Sequence, residues 1–311
     1  MRVAVVDLGT NTTRLLVADV ADGVLTELDK QTTITRLGQG VDASGRLADE
    51  AMDRVRSALA NYREVMDREG VAETIAVATS AMRDASNGPD FRDELNERFG
   101  IDARTISGDE EARLTFLGAT SGRTPAAESP ATTMVIDIGG GSTEYVVGSP
   151  NAAPEFHVST QMGSVRHTER FLHSDPPEHE ELEALASDVQ RVIEEQVPAR
   201  YREETTEGIA VAGTATTLAA IDQELDPYDP EKVHGYRVSL AAAERIQAML
   251  AALPVEERRE VTGLHPDRAP TIVAGVTILV ESIRSFGLDE IEVSESDILQ
   301  GAAMAAAETG P

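Results

Sequence analysis

VAVVDLGTNTTRLLV, residues 3–17, and TMVIDIGGGSTEYVV, residues 133–147, are two copies of one pattern about 130 residues apart. Each is an apolar run ending in Asp, then Leu or Ile, Gly, two or three small residues, a hydroxyl residue and a second apolar run. Asp7 aligns with Asp137, Gly9 with Gly139, Thr12 with Ser142, and Arg14 with Glu144. A strand, a tight Gly-containing turn and a returning strand make a hairpin whose backbone amides can converge on an anion. One copy would read as an ordinary hairpin, its Gly serving a positive φ. Two copies in matched context point to a ligand, and facing each other across a cleft they are expected to grip a polyphosphate from both sides.

The rest of the chain fits an α/β architecture of two domains. After the first hairpin a further strand pair is expected over 25–37, then a helix over 47–69, with Met52, Val55, Leu59, Tyr62 and Met66 at three- and four-residue intervals. Strands are expected over 73–79 and 101–107, and helices over 91–99 and 110–120. Such alternation implies α/β packing. Residues 123–131 (RTPAAESPA) are polar and Pro-containing, as a linker should be. The second half repeats the order: hairpin, a strand near 155–159, a long helix over 177–205, a buried strand over 208–212, an apolar helix over 266–286 and a short strand over 291–293. The expected domains are 1–124 and 131–311, with the last helix free to pack back on the first, and a hinge between them.

With 311 residues and 41% apolar content the chain can build two cores. No apolar run approaches the roughly 20 residues of a membrane-spanning helix. The chain enters a strand pattern directly after Met-Arg, so no leader is expected and the expected location is cytoplasmic. The absence of Cys excludes disulfides and cysteine-bound zinc. The net charge is −28, and only Lys30 and Lys232 among the 27 basic residues are lysines. This acidity argues against nucleic-acid partners. An anionic substrate then needs a divalent cation and a few Arg to make its site locally attractive.

Asp7 and Asp137 end buried strands, and carboxylates beside phosphate loops suggest Mg²⁺, which binds through one or two carboxylates, waters and substrate phosphates. Glu144, on the returning strand, is expected to face the same place. A third loop, AGTATT at 212–217, lies where a strand meets a helix and offers Gly213 and Thr214 to phosphate. In SGDEEARLTFLG (107–118), one of the acids is expected to act as a general base, with Arg113 supporting it or meeting phosphate; the competing reading is acids in a first helical turn. ATSAMRDASN (78–87) places Arg83 for an oxyanion, and MGSVRHTERF (162–171) presents Gly163, Ser164 and Arg166. The six His show no metal-ligand spacing, and His265 reads as structural.

Together, DLGTNTTRLL, ATSAMRDASN, SGDEEARLTFLG, DIGGGSTE and MGSVR resemble the exopolyphosphatase and guanosine pentaphosphate phosphohydrolase family, within the actin, sugar-kinase and heat-shock ATPase superfamily. The resemblance runs from residue 1 to about 301. It implies two duplicated actin-like (ribonuclease-H-like) domains, and Mg²⁺-dependent release of orthophosphate from inorganic polyphosphate. Glu111 would be the catalytic base, with Asp137 and Glu144 lining the metal and substrate site and Asp7 helping to hold Mg²⁺. Thr10, Asn11, Thr12, Gly139, Gly140, Gly141 and Ser142 would cradle phosphates. A homodimer is also consistent with the family. Longer members continue into a helical C-terminal region, so a shorter substrate channel and short chains are expected here. Leu299 and Gln300 stand where many members carry Arg-Glu. Hydrolysis of pppGpp in the same site, a superfamily kinase and a non-catalytic polyphosphate or alarmone sensor are the alternatives; the EEAR segment argues against the kinase, and the presence of Glu111, Asp137 and Glu144 against the sensor.

Overall fold

A computed structural model describes residues 1–21, 24–121, 132–150 and 152–309. The chain forms two compact units, one of Met1–Gly118 with Ile298–Pro311 and one of Ala119–Asp297. The expected linker at 123–131 lies outside the described residues.

The first unit is built on a five-stranded sheet of β1 (Arg2–Leu8), β2 (Thr12–Ala21), β3 (Val24–Ile34), β4 (Glu73–Ala78) and β5 (Ala103–Thr105), ordered β3-β2-β1-β4-β5. β1 is antiparallel to β2 and parallel to β4. It is apolar on both faces, because both faces are covered. The Asp49–Glu69 helix lays Met52, Val55, Leu59, Tyr62 and Met66 on one face of the sheet, and the Tyr62 hydroxyl donates to the Thr13 carbonyl at 2.7 Å. The helix stops at Gly70, whose φ of 65° allows the left-handed cap. The opposite face, with Val3, Val5, Leu16 and Ala18, is covered by Leu114 of the Gly108–Thr120 helix and by the terminal helix Ile298–Thr309, through Ile298, Leu299 and Ala302. Those two helices cross closely at Gly301, where a Cβ would overlap the Leu114 carbonyl.

The second unit carries β6 (Thr133–Ile138), β7 (Thr143–Gly148), β8 (Phe156–Thr160), β9 (Glu207–Val211), β10 (Arg237–Ser239) and β11 (Glu290–Val293), ordered β10-β11-β9-β6-β7-β8. Reversed, β8-β7-β6-β9-β11 repeats the first sheet strand for strand, with the same antiparallel and parallel pairings, and β10 is an added antiparallel edge. The fold is the duplicated two-domain α/β fold of the actin-like ATPases.

Several element boundaries differ from the sequence expectation. The helix expected over 177–205 is two, His179–Gln196 and Ala199–Glu204, because Pro198 forces Val197 out of helical geometry. The helix expected over 266–286 is a 3₁₀ turn at Pro266–Arg268 and a helix at Ile272–Ser285. The strand expected over 101–107 shrinks to Ala103–Thr105. The Leu240–Ala252 helix is an element the sequence did not announce.

Candidate active site

The two hairpins match in detail. Asp7 pairs in register with Arg14, and Asp137 with Glu144. Each two-residue loop is closed by one bond, from Gly9 N–H to the Thr12 carbonyl at 2.9 Å and from Gly139 N–H to the Ser142 carbonyl at 3.0 Å. The glycines are not there for a positive φ, since none of residues 9–12 or 139–142 adopts one. They are there for close approach: a Cβ at Gly9 would come within 2.9 Å of the Thr12 carbonyl, and one at Gly139 within 3.2 Å of that of Ser142.

The loop carbonyls are tied back into each unit. Thr10 accepts from Gly38 N–H, and Asn11 from Thr35 and Arg36 N–H. In the second unit Gly139 accepts from Ser164 N–H and Gly140 from the amides of Val165 and Arg166, all at the start of the Ser164–Phe171 helix; Gly141 accepts from Arg166 Nε at 2.6 Å. With the carbonyls turned one way, the amides of Thr10, Asn11, Gly140 and Gly141 are left facing another and meet no acceptor among the described residues. Peptide N–H groups so presented are an anion-binding arrangement.

In the first unit the site residues are linked through the short Ser80–Asp84 helix. The Thr10 and Ser80 hydroxyls are 2.7 Å apart. Arg83 Nη1 donates to the Ile106 carbonyl at 3.0 Å and lies 3.4 Å from Glu111 Oε2. The two glutamates of the EEAR segment are set to different tasks. Glu110 faces outward in a bidentate pair with Arg104, at 2.6 and 2.8 Å, and its amide donates to Ser107 Oγ. Glu111 is 8% exposed and held beside Arg83. Arg113 is exposed, and the guanidinium beside Glu111 is that of Arg83.

The carboxylates at the strand ends are equally distinct. Asp7, 3% exposed, is bonded through Oδ2 to Arg14 Nε and Nη2 at 2.9 and 2.8 Å. Asp137 and Glu144 are 7% and 1% exposed and stand opposite each other; Ser159, next in register, donates to Glu144 Oε1 at 2.7 Å. Two opposed buried carboxylates repel, and a hard divalent cation relieves that repulsion. Carboxylate oxygens such as those of Asp137, Glu144 and Asp7 are hard donors of the kind Mg²⁺ takes, and Asp7 is ion-paired with Arg14. Among the described residues no group of three or more His, Cys, Asp or Glu gathers for a metal.

Gly213 and Thr214 begin the Ala212–Asp222 helix, with Ala212 at a φ of 64°. Gly275 lets Thr214 and Ser164 approach one backbone, so this loop and the Ser164–Phe171 helix converge. The sequence reading missed Arg268. Its guanidinium covers Gly213, where a Cβ would overlap it and make it move aside. The GLHPDRA segment had drawn notice only for His265, which caps the turn by accepting from Asp267 N–H.

Against known proteins, residues 16–305 match the Ppx/GppA phosphatase family. The chain belongs to the Ppx/GppA phosphatase family. It is therefore a phosphoanhydride hydrolase, of a family that generally uses a divalent metal. Exopolyphosphatase 2 of Mycobacterium tuberculosis is 39% identical over 323 residues, covering 98% of both chains. An exopolyphosphatase from Cytophaga hutchinsonii superposes with a TM-score of 0.91 at 27% identity, covering 100% of this chain and 99% of that one. The Aquifex aeolicus Ppx/GppA family member superposes at 0.82 with 29% identity, covering 99% and 98%. Among the described residues no helix is long and apolar enough to cross a membrane.

Proposed function

We propose that this chain releases the terminal orthophosphate of inorganic polyphosphate, acting on short chains, with Mg²⁺ held by Asp137 and Glu144. The observation that carries the reading is the pair of loops whose carbonyls are tied back and whose amides are left to an anion, one in each unit. That both serve one substrate is part of the proposal, as is a cytoplasmic location. The names of the mycobacterial and Cytophaga relatives support the substrate class.

In this reading Glu111, steadied by Arg83, orients a water and takes its proton as the oxygen bonds to the terminal phosphorus. The bridging P–O bond breaks in line. Orthophosphate leaves, and the remaining chain, one phosphate shorter, carries the charge of the broken bridge. Positioning and charge stabilisation supply most of such catalysis. The amides of Thr10, Asn11, Gly140 and Gly141, with the hydroxyls of Thr10, Thr12, Ser142 and Thr214, hold the phosphates. A divalent cation at Asp137 and Glu144 would neutralise the charge on transferred and leaving oxygens. Arg268, whose guanidinium lies over Gly213 at the first turn of the Ala212–Asp222 helix, adds a phosphate contact beside the helix's N–H groups in this reading. Asp7, paired with Arg14, sets the first loop.

The test is orthophosphate release with Mg²⁺ from tripolyphosphate, long-chain polyphosphate, pppGpp and ATP. Tripolyphosphate is expected to be cleaved best, and Glu111→Gln to lower that rate about 10²- to 10⁴-fold. Preference for pppGpp, or release undiminished by Glu111→Gln, would overturn the reading.

A further inference from the structure

Arg258 is among the largest side chains wholly withdrawn from water, at 2% exposure, yet among the described residues it meets no carboxylate at hydrogen-bond distance. Its Nε donates to the Leu250 carbonyl at 2.9 Å, Nη2 to Leu253 at 2.7 Å and Nη1 to Ala269 at 2.8 Å. The first two carbonyls end the Leu240–Ala252 helix, where a cation is favoured by the dipole. The third belongs to the residue after Arg268. Burial pulls the guanidinium pKa down, and Asp175, whose carboxylate caps the Val255–Arg258 helix, pulls it the other way.

A buried charge is a costly way to join a helix to a turn, since apolar packing does so without desolvating an ion. What the guanidinium supplies is a planar fork that fixes three acceptors at once. The segment it anchors is the one carrying Arg268. Further back, Gly263, at a φ of 85°, runs so close to Ala220 and Ile221 that a Cβ would touch their backbone. Within the turn, Arg268 N–H donates to the His265 carbonyl and Thr271 N–H to the Arg268 carbonyl. The segment is thus fastened to the far end of the Ala212–Asp222 helix at Gly263 and to Arg258 at Ala269, and between those fastenings Arg268 reaches the helix's first turn.

We propose that Arg258 is a positioning residue that holds Arg268 over Gly213, and through it sets the affinity for the phosphate chain. This rests on the reading of Arg268 as a phosphate contact. The test measures tripolyphosphate binding by calorimetry in a Glu111→Gln background, so that nothing is hydrolysed, with Arg268→Ala, Arg258→Lys and the double variant, alongside their thermal unfolding. Arg268→Ala is expected to weaken binding about tenfold, Arg258→Lys by a similar factor, and the double variant no more than Arg268→Ala alone. Arg258→Lys keeps the buried cation and loses the fork, Arg258→Met loses both, and the thermal unfolding shows whether each still folds. Effects that multiply in the double variant, or a lowered unfolding temperature with unchanged affinity, overturn the positioning role and leave Arg268 as a phosphate contact. Unchanged affinity in Arg268→Ala removes that contact and the proposal with it. Failure of the parent Glu111→Gln protein to bind tripolyphosphate removes the polyphosphate reading and both.

Discussion

Arg14 and Glu144 stand at the same register position of the two hairpins, each opposite the strand's aspartate. Their alignment was legible in the sequence, but its consequence was not: a pattern of apolar and small residues does not reveal that one aspartate gains a cation as neighbour and the other gains an acid. The same holds for Glu110 and Glu111, adjacent in sequence and separated in role only because Arg104 takes one and Arg83 the other. His167 is a third case. Wholly buried behind the second loop, it accepts the Gly163 N–H at Nδ1 and turns Nε2 to Asp188 Oδ2 at 3.4 Å. Burial draws its pKa down to about 4, with Asp188 opposing the shift and Arg170 and Arg166 adding to it. Between the ordinary histidine value of about 6.5 and 4, the unfolded chain binds a proton that the folded chain refuses, so stability falls as pH falls through that window. The loss should total roughly 3 kcal/mol. Urea unfolding at pH 7, 5.5 and 4.5 should show it, and His167→Gln should flatten the dependence; an equal slope in the variant would discard this account.

At the scale of elements, the hairpins and the Asp49–Glu69 helix could be read because their apolar spacing repeats with a single period. The work of the Ser164–Phe171 helix could not. MGSVR drew attention to Gly163, Ser164 and Arg166 as ligand candidates; in the structure the amides of Ser164 and Arg166 and the Arg166 side chain donate to the carbonyls of Gly139, Gly140 and Gly141, and the Gly163 amide to His167 Nδ1. These residues aim the loop. Gly163 has an extended backbone, so what it lacks room for is a side chain: a Cβ would overlap the Gly140 carbonyl. Gly163→Ala should therefore displace the loop, costing about 1–3 kcal/mol in stability and on the order of 10²-fold in kcat/KM, with circular dichroism unchanged. Kinetics matching those of the parent would mean the loop does not need this brace. Arg258 and Arg268 escaped the sequence reading for a related reason. Isolated arginines in an Arg-rich chain carry no period, and only the folded path brings one over a glycine and the other beneath a turn.

For the molecule as a whole, the duplication was legible from two loops, and the last helix was expected to pack back on the first unit; which sheet face it covers was not legible. The unit that begins at Met1 is completed by residues from Ile298 onward. Leu299 is fully buried against β1 and β2, at the place where the sequence departs from the family pattern. Leu299→Ala should destabilise the first unit by about 2–5 kcal/mol, read by chemical denaturation. A fragment of residues 1–118 should expose its second sheet face and fail to unfold cooperatively, while joining 298–311 to it should restore a cooperative transition. A cooperative transition in the fragment alone would show the terminal helix to be an accessory.

That path has a consequence for the chain as it is made. Val3, Val5, Leu16 and Ala18 are made before the second unit, and the Ile298–Thr309 helix that covers them is made after it. At about 5–20 residues per second, synthesis of the intervening unit leaves that apolar face with only part of its cover for on the order of ten seconds or more. During that interval a nascent-chain holdase, or another polysome-borne copy of the same half-finished sheet, competes for the place that Ile298–Thr309 will take.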